Sequence, residues 1–72
     1  MKVYVLLFSQ DISGTKGSID EFVKISSDKD ELIKLMDLEN KFIDSNWDDE
    51  DEEWGGVNMS SKPYYYIMET EI

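Results

Sequence analysis

The sequence contains no cysteine and no histidine, and its seven basic residues are all lysine. Each absence removes a class of chemistry. Without cysteine there is no disulfide framework and no thiolate metal site, the usual reinforcements of so small a domain, and such a chain suits a reducing cytosol. Without histidine the commonest ligand of zinc, copper and iron is gone. Without arginine there is no planar fork to clamp a phosphate. Acid–base catalysis would fall to carboxylates, lysine or tyrosine, and a carboxylate pair acting on a glycosidic bond needs a cleft that 72 residues leave little room for. Long apolar runs are also missing. The longest, residues 3–8, spans six residues and gives way at once to Ser9-Gln10-Asp11, too short for a signal-peptide core and far short of the roughly 18 residues that cross a bilayer. These absences predict a soluble, cytoplasmic, non-enzymatic protein without catalytic residues, cofactor or metal, stabilised by aliphatic and aromatic packing.

What the chain has in excess is negative charge: seventeen Asp and Glu against seven Lys, a formal net charge of −10. A surface of this sign repels nucleic acid and anionic lipid and attracts basic protein surfaces. Such charge serves solubility or charge-driven binding, and composition alone leaves both open.

Residues 2–8 (KVYVLLF) read as a strand rich in β-branched and aromatic residues. Both of its faces, Val3, Val5, Leu7 and Tyr4, Leu6, Phe8, are apolar, so it is expected at the centre of a sheet. Residues 9–17, with two glycines, read as a hairpin loop. A second strand follows over residues 18–26, with Ile19, Glu21, Val23 and Ile25 on one face and Phe22 and Lys24 on the other. Ser27 or Asp28 can cap a helix, with Asp30 or Glu31 closing a capping box. Leu32, Leu35, Met36, Leu38, Phe42 and Ile43 then recur at three- and four-residue steps, predicting an amphipathic helix of about four turns that ends near Ser45. After a long connection (residues 46–62), Pro63 opens a last strand over residues 64–72. The order β-β-α-β and a right-handed crossover predict one α+β domain: a three-stranded antiparallel sheet, strand order 2-1-3, with one helix on one face. Leu35, Phe42, Val5 and Leu7 are expected between helix and sheet. Tyr4, Leu6, Phe8 and Phe22 are expected on the other face, covered by the connection or by a second copy in a homodimer.

The connection carries the candidate binding site, Trp47, Asp48, Asp49, Glu50, Asp51, Glu52, Glu53 and Trp54: six consecutive acids between two tryptophans. Acids packed this densely repel one another unless a partner or ions neutralise them. The tryptophans read either as interface anchors or as core anchors pinning the loop over the bare sheet face. Asp44, Asn46 and Asp48 match the first ligands of a calcium-binding loop, but Asp49 stands where glycine is required and Gly55 where a bidentate glutamate belongs. Ser13-Gly14-Thr15-Lys16-Gly17 lacks the spacing of a phosphate loop. Tyr64-Tyr65-Tyr66 could stack on bases, but the surrounding charge has the wrong sign, and a strand alternating faces accounts for it better.

Phe42-Ile43, Asn46-Trp47 and the acids that follow resemble the acidic stretch of small Cas9-inhibiting anti-CRISPR proteins, and the size and charge are similar to those of phage DNA-mimic proteins generally. The order of elements departs from that inhibitor, whose sheet is flanked by more helix. The resemblance implies a phage-encoded inhibitor, acting in the host cytoplasm, whose residues 48–53 contact the basic groove of a nucleic-acid-binding defence protein, with no direct nucleic-acid or membrane contact. The alternative is a small structural or accessory domain, homodimeric through its open sheet face.

Overall fold

The computed structural model describes residues 1–14 and 16–72; Thr15, within the expected hairpin loop and the Ser13-to-Gly17 stretch, lies outside the described residues. The elements run β1 (Lys2–Gln10), β2 (Ile19–Ser26), α1 (Lys29–Asn46), β3 (Glu53–Trp54), β4 (Val57–Asn58) and β5 (Tyr64–Glu71). Strands β2, β1 and β5 form an antiparallel sheet in that order, the small α+β domain that the sequence predicts. The short β3–β4 hairpin is an addition within the connection.

Helix α1 begins where its backbone donors find an acceptor. Asp28 is the N-cap, its carboxylate accepting from the backbone N–H of Asp30 at 3.1 Å and of Glu31 at 3.4 Å. Glu31 does not turn back to close a capping box. It accepts instead from Lys24 Nζ at 2.5 Å and Ser26 Oγ at 3.2 Å, tying the helix start to β2. The Lys24 ammonium holds the Glu31 carboxyl below its ordinary range. One strand further, Asn40 donates to the backbone carbonyl of Tyr65 at 3.1 Å and accepts from its N–H at 2.8 Å. Both groups face outward from edge strand β5, so one side chain satisfies what the sheet leaves unpaired.

Between these ties lies the core. Leu6 and Leu32 are completely buried, Ile43 nearly so, and Phe8 stacks on Tyr65 with ring centroids 4.6 Å apart. Residues directly opposite on antiparallel strands share a face, so Leu6 with Ile67 and Phe8 with Tyr65 form the sheet side of this interface. Lys29 lies over the Tyr4 ring on the same side. This corrects the expected assignment of faces. The helix covers Tyr4, Leu6 and Phe8, whereas Val5 and Leu7 lie on the opposite face and Phe42 is 58% exposed. Both faces of β1 are apolar, so alternation along that strand cannot say which one the helix takes.

A β-bulge makes a second correction. Leu6 pairs with Lys24 but Leu7 pairs with Phe22, so Val23 is the extra residue on β2. Facing is therefore not a simple alternation along β2. Phe22 and Ile25, three residues apart, both join Val5 and Leu7, while Glu21 turns to the helix side.

Two predictions follow from this packing. Leu6→Ala or Leu32→Ala should cost about 2–5 kcal/mol in chemical denaturation, since each empties a fully enclosed position. Phe42→Ala should cost about 1 kcal/mol, the scale of one aromatic pair. The second concerns alkali. Burial, with Glu39 and Glu21 nearby, raises the Tyr65 phenol above its ordinary value, and the hydrogen bond to Asp20 does the same for Tyr66. A raised phenol favours the fold below the unfolded pKa of about 10 and loses that contribution as pH climbs through the folded value. Absorbance titration should find Tyr65 and Tyr66 ionising above the ordinary phenol range, and thermal stability should fall in the same alkaline window; ionisation of both at the ordinary value would contradict it.

Candidate functional site

Trp47 ends the helix. Its backbone turns extended, its N–H donates to the Ile43 carbonyl at 2.8 Å, and its indole Nε1 donates to Asp49 Oδ1 at 2.7 Å. No basic residue occupies the last helical turn, so the acids follow directly on the negative end of the helix dipole. Local hydrogen bonds shape them. Asp48 Oδ1 accepts from the Glu50 N–H at 2.9 Å, and the Asp48 carbonyl accepts from the Glu52 N–H at 2.9 Å. Glu52 itself sits at φ 47°, in the left-handed region that side-chain-bearing residues rarely adopt. The Met59 N–H then reaches the Glu52 carbonyl at 2.7 Å.

Beyond the acids, Glu53 pairs with Asn58 and Trp54 with Val57. The two-residue turn between them is Gly55-Gly56, at φ 60° and 80°. A hairpin loop of two residues with positive φ at both central positions calls for this dipeptide. The hairpin is anchored to the rest of the chain at its base. Ser13 N–H donates to the Asn58 carbonyl at 2.9 Å, Ser60 N–H to the Asp11 carbonyl at 2.6 Å, and Met59, buried, bridges to Ile12. The acidic segment is therefore held at both ends rather than trailing.

Residues 48–53 are all exposed, and among the described residues none of them forms an ion pair. Lys62, the nearest cation in the connection, pairs with Asp44. Among the described residues no three potential metal ligands converge. The calcium-loop match is dispersed accordingly: Asp44 takes Lys62, the Asn46 amide donates to the Phe42 carbonyl, and Asp48 caps Glu50. An open cleft of about 440 Å³ lies between the helix end and the returning chain, lined by Asp44, Trp47, Asp49, Glu52, Ser60, Ser61 and Lys62.

Both tryptophans are half-buried against their own chain, Trp47 at the helix end and Trp54 edge-on to Phe42 with centroids 5.9 Å apart. Neither lies over the bare sheet face, whose Phe22, Ile25, Tyr64 and Met68 remain 49–61% exposed. What sequence reasoning missed is the company Trp54 keeps. Leu38 and Phe42, one helical turn apart, are 65% and 58% exposed. With Leu35 they form a second stripe, roughly 100° around α1 from the buried Leu32 and Ile43 and the half-buried Met36. The signal was available: Leu35, Leu38 and Phe42 keep a three-and-four spacing of their own. The structure thus brings an apolar stripe, the exposed Leu38 and Phe42 with the half-buried Trp54, alongside six exposed acids.

No protein-family model matches this chain, and neither a curated protein nor a solved structure matches it.

Replacing all of residues 48–53 with their amides should leave the fold intact and raise its melting temperature at low salt, because the acids repel and nothing within the described chain neutralises them. The gain should shrink as salt screens the repulsion. A variant that melts lower at low salt would show instead that these carboxylates hold the segment together.

Proposed function

We propose that this chain is a non-enzymatic binding protein that docks on a basic surface of another protein, with Leu38, Phe42 and Trp54 as apolar anchors and residues 48–53 as the charged flank. The observation that carries this reading is the juxtaposition itself: an apolar stripe beside six exposed, unpaired acids on a segment tied down at both ends. Aromatic side chains dominate interface energetics, while charge steers encounter and sets partner choice. The repulsion stored in the segment is relieved when cations of a partner arrive, so binding recovers what folding lost.

The chemistry of the partner follows from charge density. Six carboxylates in six residues, gathered in a turn that the Glu52 N–H closes on the Asp48 carbonyl, concentrate negative charge as a phosphate backbone does. A groove lined with lysine and arginine for phosphates is the surface that such a segment fits. In the form that the resemblance suggests, that groove belongs to a bacterial nucleic-acid-binding defence protein and this chain is its phage-encoded inhibitor in the host cytoplasm. The chain itself, at net charge −10, contacts neither nucleic acid nor membrane.

The test is capture from a bacterial lysate on the immobilised protein, at low and high salt, with the amide variant of residues 48–53 and a Leu38→Ser/Phe42→Ser variant alongside. The expected result is a nucleic-acid-binding protein that is released by salt, displaced by competing DNA or RNA, and retained weakly by both variants. Capture that is indifferent to salt and to both variants would sink the proposal.

A further inference from the structure

We propose that the sheet face turned away from the helix packs against the same face of a second copy of this chain, giving a two-fold symmetric helix–sheet–sheet–helix assembly. Strand register places eleven residues on that face: Val3, Val5, Leu7 and Ser9 of β1, their partners Ile25, Phe22 and Asp20 of β2, and Thr70, Met68, Tyr66 and Tyr64 of β5. Phe22 is 61% exposed, Tyr64 53%, Met68 51% and Ile25 49%. Monomers rarely leave such a patch in water.

Charge distribution identifies the occupant. Val3 and Ser9 are already buried within the single chain; one third of all residues are charged, so the nine remaining positions drawn at random would hold about three charges. This face holds one, Asp20, and the Tyr66 hydroxyl donates to it at 2.8 Å. A basic partner would find nothing to pair with here, and a strongly acidic chain has kept its carboxylates off this one surface. A second copy presents the same uncharged surface. With a two-fold axis lying between the two sheets and perpendicular to the strands, the strands of the two copies run in opposite directions. The acidic segments, each beyond the C-terminal end of β1 on a molecule 43 Å long, then point to opposite ends of the pair. That separation exceeds the screening length of about 8–10 Å at physiological salt several times over, so the net charges oppose pairing only weakly.

Area sets the strength. The exposed surface of 5033 Å² exceeds the roughly 4,600 Å² expected of a compact monomer of this mass, an excess of about one sheet face. At roughly 200 Å² for a fully exposed large side chain, the four most exposed residues supply about 400 Å² per copy. Together with the half-buried Val5, Leu7 and Tyr66, the pair buries roughly 1,000 Å², the lower edge of specific interfaces. An interface at this lower edge fits a dissociating dimer rather than a permanent one.

Sedimentation equilibrium across the micromolar range, at low and at high salt, tests this. The wild-type chain should move from monomer to dimer with rising concentration, and added salt should tighten the dimer several-fold. Phe22→Lys and, separately, Met68→Lys should each weaken it about tenfold or more, with thermal melting reporting whether each variant is folded. Leu38→Lys, on the outer side of the helix, should leave it unchanged. A wild-type chain that stays monomeric at every concentration and salt overturns the proposal, and so does a dimer abolished by Leu38→Lys but untouched by both sheet-face variants. Neither outcome bears on the acidic flank, so the fate of the proposed function is read separately.

Discussion

The burial of Leu32 and Ile43 against Leu6 and Phe8 is the contact on which every other feature of this molecule depends. A chain of 72 residues without a disulfide has only this interior to hold it, and one helix can cover only one face of a three-stranded sheet. The ties around that contact are polar and directional: Lys24 to Glu31 at one end of the helix, Asn40 to the Tyr65 backbone further along. They set where the helix lies along the sheet, and thereby which side chains are left outside. What remains outside is unusual in being sorted. The apolar surplus forms two patches, one on the outer side of α1 and one on the bare sheet face, and the densest charge lies beside the first and away from the second.

That sorting has a physical cost that the fold carries openly. Six adjacent acids follow the negative end of a helix with no basic residue in its last turn, and Glu52 adopts a left-handed backbone. Both features oppose folding, and hydrogen bonds accepted by Asp48 and Asp49, with the β3–β4 hairpin, hold the segment against them. A solubilising tail needs no such shaping. The docking role proposed above, with carboxylates held in a definite place next to Phe42 and Trp54, does need it.

The strands, the helix, the strand order and the Asp28 cap were legible from periodicity and capping chemistry, because each of those signals is local. Exposure of residues 48–53 was legible as well, since six adjacent carboxylates have no affordable interior. The partner of Trp54 was not, because the hairpin that delivers it has strands of two residues each, too short to show a period. Nor was the second stripe on α1 distinguished from the first, because one helix with apolar residues over half its circumference does not declare which half meets the sheet.

Sequence by itself determined composition, charge, element order and the exposure of the acids, all of which follow from residue identity and spacing within a few positions. Tertiary structure alone decided facing. The central strand β1 is apolar on both sides, so its alternation is symmetric. The bulge at Val23 reverses the parity of β2 halfway along, and no residue type demands a bulge there. Only the docking of α1, through Leu32, Asn40 and Ile43, breaks the symmetry, burying Leu6 and Phe8 and leaving Phe22, Ile25 and Met68 in water. The reason is that burial is a property of pairs of surfaces, whereas a sequence states each surface separately.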